Sequence, residues 1–238
     1  MASLKERIRN GETVIGVSVP VTVTRGQLEE ILGKDDYAFV SVDSQHSPYD
    51  EVQLAEFCAV AEELDVHVQF RIKHTRNTYL IGNYLDLGPC GVEVPQVEET
   101  TTVQEAIDYF YYPQQGKRSW GGAARRNINS GLDRLGYAEW WNNYGVLWMQ
   151  LESINAVTNA TRLAQPGVDC LSWGPADLSF NIEGLPGHPL QTDDDCVRYV
   201  LHQVAGSDTK LCYRNFSPDL RNKYIDMGVT VLLERPKA

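Results

Sequence analysis

The 238 residues read as one α/β domain, a closed (β/α)8 TIM barrel. Three observations predict it. Apolar, β-branched runs of about five residues alternate with amphipathic segments of about twelve, the order that yields parallel strands joined by helices. Eight such runs occur, at 13–19, 38–42, 66–72, 90–94, 146–152, 168–173, 209–213 and 229–233. No GxGxxG or GxxxxGK segment follows any of them, which argues against an open nucleotide-binding sheet of similar element order.

In chain order, TVIGVSV at 13–19 leads to a helix at 24–33 with Thr24 as its N-cap, and AFVSV at 38–42 to one at 50–64 opened by Asp50. VHVQFRI at 66–72 precedes a helix at 75–86, and CGVEV at 90–94 one at 101–111. The stretch 95–145 is too long for a simple crossover. Besides the helix at 101–111 it holds a Gly/Arg loop at 116–131 and an aromatic helix around 132–143, and it reads as an elaborated active-site loop. VLWMQLE at 146–152 then leads to a helix at 153–164, VDCLSW at 168–173 to one at 192–204, and TKLCY at 209–213 to one at 217–227. Pro218 after Ser217 suits the first turn of that last helix. VTVLL at 229–233 closes the set, and no repeat or low-complexity linker divides residues 1–238, read as a single domain.

Hydrophobic residues at 42% and charged residues at 22% fit a soluble globular chain, not a disordered one. A net charge of -11 argues against nucleic acid and anionic membrane as partners. The densest basic cluster, Lys117, Arg118, Arg125 and Arg126, lies among glycines and reads either as an anion-handling loop or as a solvated one. Five cysteines without CxxC spacing, and an N-terminus lacking an apolar signal segment, lead us to expect a reducing cytoplasm. No apolar run approaches the roughly 20 residues of a membrane-spanning helix.

Barrel active sites lie at the C-terminal strand ends, so polar residues there are the ones to weigh. Strand two runs into Asp43-Ser44-Gln45-His46, strand three ends at Arg71, strand five at Gln150-Leu151-Glu152, and strand six runs into Gly174-Pro175-Ala176-Asp177. Glu152 and Asp177 would be costly to desolvate alone. As a pair they suit a divalent cation such as Mg2+ or Mn2+, whereas a structural ion pair or helix cap is the plainer reading of each. His46, three residues after Asp43, is a candidate base whose ring a carboxylate could orient. Arg71 needs an anionic partner, either a protein carboxylate or a substrate. Gly174, Pro175 and Ala176 form a turn whose N–H groups could meet a small carboxylate, with a short helix starting at Ala176 and Asp177.

The segments DSQH at 43–46, FR at 70–71, LDLGPCGVEVPQV at 85–97, MQLESINAV at 149–157 and PGVDCLSWGPADLS at 166–179 together resemble the HpcH/HpaI aldolase family, over most of the chain. The resemblance implies a barrel of the phosphoenolpyruvate/pyruvate-domain type and a class II aldolase joining pyruvate to an aldehyde. It implies a divalent metal, Mg2+ or Mn2+ with Co2+ also accepted, held by Glu152 and Asp177. Arg71 would stabilise the donor carboxylate and enolate, Gln150 would support it, and His46 with Asp43 would move the methyl proton through water. The stretch at 110–122, FYYPQQGKRSWGG, resembles a family loop that covers the site.

Departures from the pattern bear on the acceptor. Gln45 replaces a family glutamate, Ser18 a bulky aromatic, and Tyr213-Arg214-Asn215 a run of small residues. Arg214 points to a polar aldehyde. The chain stops soon after the eighth strand, without the helix that family members exchange between subunits, so apolar strand surface is expected to need cover and a homo-oligomer is expected. Two other readings stay open: an acyl-CoA lyase of the citrate lyase β-subunit kind, and a non-catalytic descendant that binds an oxo acid.

Overall fold

The structure, a computed structural model, describes residues 2–216 and 218–237. Eight parallel strands close into a barrel in sequence order. They are β1 (Val14–Ser18), β2 (Tyr37–Asp43), β3 (His67–Arg71), β4 (Gly91–Val94), β5 (Val146–Leu151), β6 (Cys170–Trp173), β7 (Lys210–Asn215) and β8 (Val231–Glu234). The helices are α1 (Leu4–Arg9), α2 (Arg25–Leu32), α3 (Glu51–Glu63), α4 (Ile81–Leu85), α5 (Thr100–Phe110), α6 (Arg134–Tyr144), α7 (Ile154–Thr158), α8 (Ala160–Leu163), α9 (Pro175–Glu183), α10 (Asp193–Gln203) and α11 (Arg221–Asp226). Short 3-10 turns at Thr75–Leu80 and Pro218–Leu220 precede α4 and α11.

The (β/α)8 expectation holds, and strand bounds shift by only a residue or two. Thr24 and Asp50 cap α2 and α3 as expected, accepting from the N–H groups of Gln27 and Gln53. The helix expected at 153–164 is broken at Asn159, which has left the helical conformation. The helix expected at 75–86 opens instead as a 3-10 turn. Ser217, the expected cap of the last helix, lies outside the described residues. The turn at 174–177 continues into nine helical residues, α9.

Period-two alternation divides each strand between two cores. On β5, Val146 and Trp148 face inward, where Trp148 meets Phe39 edge-on at 5.2 Å, while Leu147, Met149 and Leu151 face the surrounding helices. Gly16 makes room for Phe39, whose Cε2 would lie 2.1 Å from a Cβ there. The unexpected α1 closes the floor: Leu4 and Ile8 join the inner core, and the buried Lys5 ammonium donates to Asp169 (3.1 Å), Tyr111 Oη (2.8 Å) and the Gly145 carbonyl (2.6 Å).

Two expectations are corrected. The loop at 116–131 packs on the flank of the barrel and contributes no residue to the cavity at the mouth. Its arginines are structural: Arg118 pairs with Asp86 (2.9 Å) and lies over Trp141, Arg125 lies over Trp120, and Arg126 donates to the Val66 carbonyl near the floor (3.2 Å). Such planar cations are held by aromatic faces and so cannot reach over the mouth. Nor does β8 expose apolar surface, since all four of its residues are buried. Its outward Glu234 is clamped by Arg221 from α11, which also holds Asp35.

Candidate active site

The C-terminal strand ends enclose a cavity of about 290 Å³ lined by Ser18, Asp43, His46, Arg71, Gln150, Glu152, residues 174–177, Arg214, Phe216, Leu233, Glu234 and Arg235. Asp43, His46, Arg71, Gln150, Glu152, residues 174–177 and Arg214 therefore reach one cavity, as expected from the sequence, whereas Gln45 and the arginines at 118–126 do not line it. Register explains the convergence, because Asp43, Arg71 and Glu93 are lateral partners across β2, β3 and β4, and Gln150 pairs with Ser172 across β5 and β6.

Arg71 is gripped from both sides. Its Nε and Nη2 donate to Asp43 Oδ1 (2.8 Å) and Oδ2 (2.7 Å), and its Nη1 to Gln150 Oε1 (3.3 Å). Burial alone would raise Asp43, but Arg71 outweighs it and holds the carboxyl below its usual value. Asp43 also accepts the Gln45 N–H at 2.9 Å. The expected Asp43–His46 pair is therefore absent: the carboxylate faces the guanidinium, a bidentate partner on the neighbouring strand, and His46 stands exposed at the rim without a side-chain hydrogen bond among the described residues.

Glu152 sits just past β5. Its Oε2 accepts the N–H of Gln96, a residue in the left-handed conformation, at 2.9 Å. Oε1 receives no protein donor among the described residues. Gly174 is required beside it, since a Cβ there would lie 2.2 Å from Glu152 Cγ. Burial, and then the charge of Asp177, push the Glu152 carboxyl up to about 7, with Arg71 opposing. Asp177 occupies the first turn of α9, a favourable place for an acid. Two adjacent hard carboxylates, one held against charging by burial and like charge, form a donor set that a divalent cation relieves, so these residues fit the expected metal. The Gly174 N–H is engaged by the Leu151 carbonyl at 3.0 Å and Pro175 has none, leaving the N–H groups of Ala176 and Asp177 for a small anion.

Glu93 was not singled out from the sequence, although an acid alternating with apolar residues in GVEV marks an inward carboxylate. Fully buried, it accepts from Ser172 Oγ (2.7 Å) and takes both of its oxygens to Arg214 Nη2 (3.0 and 3.1 Å). Arg214 does face the cavity, but in the company of this acid.

Residues 22–205 match the family model described as HpcH/HpaI aldolase/citrate lyase. The chain belongs to this family. A hydroxypyruvate/pyruvate aldolase of Roseobacter denitrificans is 30% identical over 199 residues, covering 80% of this chain and 73% of that one. A 2-keto-3-deoxy-L-rhamnonate aldolase of Escherichia coli is 29% identical over 195 residues, covering 78% and 69%. The solved structure of an HpcH/HpaI aldolase from Desulfitobacterium hafniense superposes with a TM-score of 0.82 at 23% identity, covering 99% and 90%, a likeness of fold. The expectation of a carbon–carbon lyase of the class II pyruvate-aldolase kind stands on this membership.

Proposed function

We propose that this aldolase takes pyruvate as donor, with residues 1–238 acting as one domain, and reversibly adds it to an aldehyde to give a 4-hydroxy-2-oxo acid. The observation that carries the reading is the convergence of Glu152, Asp177 and the doubly held Arg71 on one cavity. Glu152 and Asp177 would hold Mg2+ or Mn2+, with Co2+ acceptable to the same oxygens. Bound there, such a cation would supply the Lewis acidity that makes the methyl protons of a 2-oxo acid easier to remove.

The chain's own residues do the rest. Arg71, fixed by Asp43 and Gln150, meets the charge of the donor as it develops, and needs no reorganisation to do so. The free N–H groups of Ala176 and Asp177 orient the donor carboxylate. At the rim, His46 takes a proton from the methyl carbon through water. The carbon left with the electron pair forms the new bond to the aldehyde carbon, and the proton returns to the aldehyde oxygen. Asp43 is in this scheme the positioner of Arg71. The five cysteines are free and buried, which supports a reducing cytoplasm. Phe180 on α9, 74% exposed near Asp177, supports a homo-oligomer that covers it.

Deuterium exchange into the methyl group of pyruvate, followed by proton NMR, tests the donor half without an acceptor. Exchange should require added Mg2+ or Mn2+, stop on chelation, and fall about a thousandfold in Glu152→Ala, the several kcal/mol that a Lewis acid contributes. No exchange with metal demonstrably bound would overturn the reading in favour of thioester substrates or a non-catalytic binder.

A further inference from the structure

The cavity has two walls of different chemistry. Asp43, Arg71, Gln150, Glu152 and residues 174–177 form the wall assigned above to the donor. The opposite wall comes from β7, β8 and β1: Arg214, Phe216, Leu233, Arg235 and Ser18. It contributes two guanidinium groups, and its acid is committed elsewhere. Glu234, the carboxylate next to Arg235 in the chain, receives Arg221 Nε at 2.8 Å and Nη2 at 2.6 Å, and Asp35 beyond it holds Arg221 (2.6 Å) and Lys237 (2.7 Å). Arg235 has no carboxylate partner among the described residues and lies over the Phe216 ring, 4.8 Å from its centroid.

Arg214 is built like Arg71. Each projects from a strand end and is fixed by a barrel acid, Glu93 for Arg214 and Asp43 for Arg71. They differ in what is left over: Arg71 has partners for Nε, Nη1 and Nη2, whereas Arg214, which also lines the cavity, has no protein partner for its buried Nε. A guanidinium fixed by one acid with a second edge unused is preorganised for another anion. The loops after strands seven and eight are also where barrels commonly gather anionic groups.

We propose that this wall is an anion subsite for the acceptor, so that the preferred aldehyde carries a carboxylate or phosphate group remote from its carbonyl, bound by Arg214 and Arg235. The inference rests on the aldolase reading and deepens it. Arg235 is the residue to test, because it is exposed and removing it orphans no buried acid, whereas losing Arg214 would strand Glu93.

The experiment measures kcat/KM for the addition of pyruvate to matched acceptors: succinate semialdehyde against butanal for carboxylate, and glyceraldehyde 3-phosphate against glyceraldehyde for phosphate. At least one anionic member should exceed its neutral partner by about tenfold, the worth of one charge-assisted contact. That preference should collapse in Arg235→Ala, persist in Arg235→Lys, and shrink with added salt, as expected of an exposed cation. Which pair shows it decides between carboxylate and phosphate. Pyruvate methyl exchange is run on the same samples. Exchange with no anionic preference, or with a preference untouched in Arg235→Ala, overturns this inference alone; absence of exchange overturns the aldolase reading and this inference with it.

Discussion

At the floor of the barrel Lys5 donates to three acceptors, and Asp169 accepts from Lys5, from Arg9 and from the Leu147 N–H, so both charges are surrounded. At the mouth Glu152 has one oxygen held and one left over, and Gln150 Nε2 and Arg214 Nε are buried without protein partners. Both ends bury charge, yet of these charged groups only those at the mouth leave capacity unused. Burial alone would lower the Lys5 ammonium, with Asp169 pulling against it, and this floor cluster is a finished structural joint. Unfinished hydrogen bonding at the mouth costs stability, and a site retains that cost when a ligand completes it.

Breaking the floor should give the largest effect on stability. Lys5→Met keeps the volume but leaves Asp169 buried with less positive charge, and should destabilise the fold by about 3–5 kcal/mol, read from urea unfolding. Pyruvate exchange per folded molecule should stay unchanged. A loss of exchange in protein that remains folded would show that the two ends are not separable.

Asp43→Asn attacks the mouth, and its signature should be reversed. Arg71 loses its bidentate partner, and the KM for pyruvate in the exchange assay should rise about tenfold to a hundredfold, the range of a charge-assisted pair. The cavity admits water to the freed nitrogens, so the fall in thermal midpoint should be much smaller than for Lys5→Met. Equal destabilisation in the two variants would put the Asp43–Arg71 pair with the structural joints.

The contrast also explains what the sequence could convey. The mouth was legible because its residues follow apolar runs: Glu152 after VLWMQL, Asp177 after CLSWGPA, Arg71 at the end of VHVQF. The partnership was not. Asp43 and His46 are close in sequence, but Asp43 and Arg71 are lateral partners set by strand register, which no local spacing reveals. Arg235 was missed for a related reason, since its availability depends on Glu234 being held by Arg221 from a different element. The floor was hidden because α1 is six residues long, with Lys5 buried where a helical pattern predicts solvent. The arginines at 118–126 misled in the opposite direction: among glycines they look available, while in the fold they are stacked on Tyr112, Trp120, Tyr137 and Trp141 or directed to the floor.

His67 is the hardest case for the comparison, because it stands at the floor end of β3, is 5% exposed, and has two ring nitrogens without a protein partner at hydrogen-bonding distance. Burial, reinforced by the charge of Arg126 and opposed weakly by Gln69, lowers it from 6.5 to about 3. The folded protein thus keeps the ring neutral, while the unfolded chain takes a proton as the pH drops below about 6.5. The unfolded state then binds more protons, so stability falls with falling pH until about 3, where the folded form also charges. His67→Gln removes this term. The wild type should lose about 1.2 kcal/mol more than the variant between pH 7 and pH 5.5. Denaturant unfolding at the two pH values measures it, with carboxylate contributions common to both proteins. If His67 belongs to the structural floor, exchange activity at neutral pH should be the same in both. A variant that unfolds with the wild-type pH dependence would show that the ring is not held neutral, and one that folds normally but loses exchange would extend the functional site through the length of the barrel.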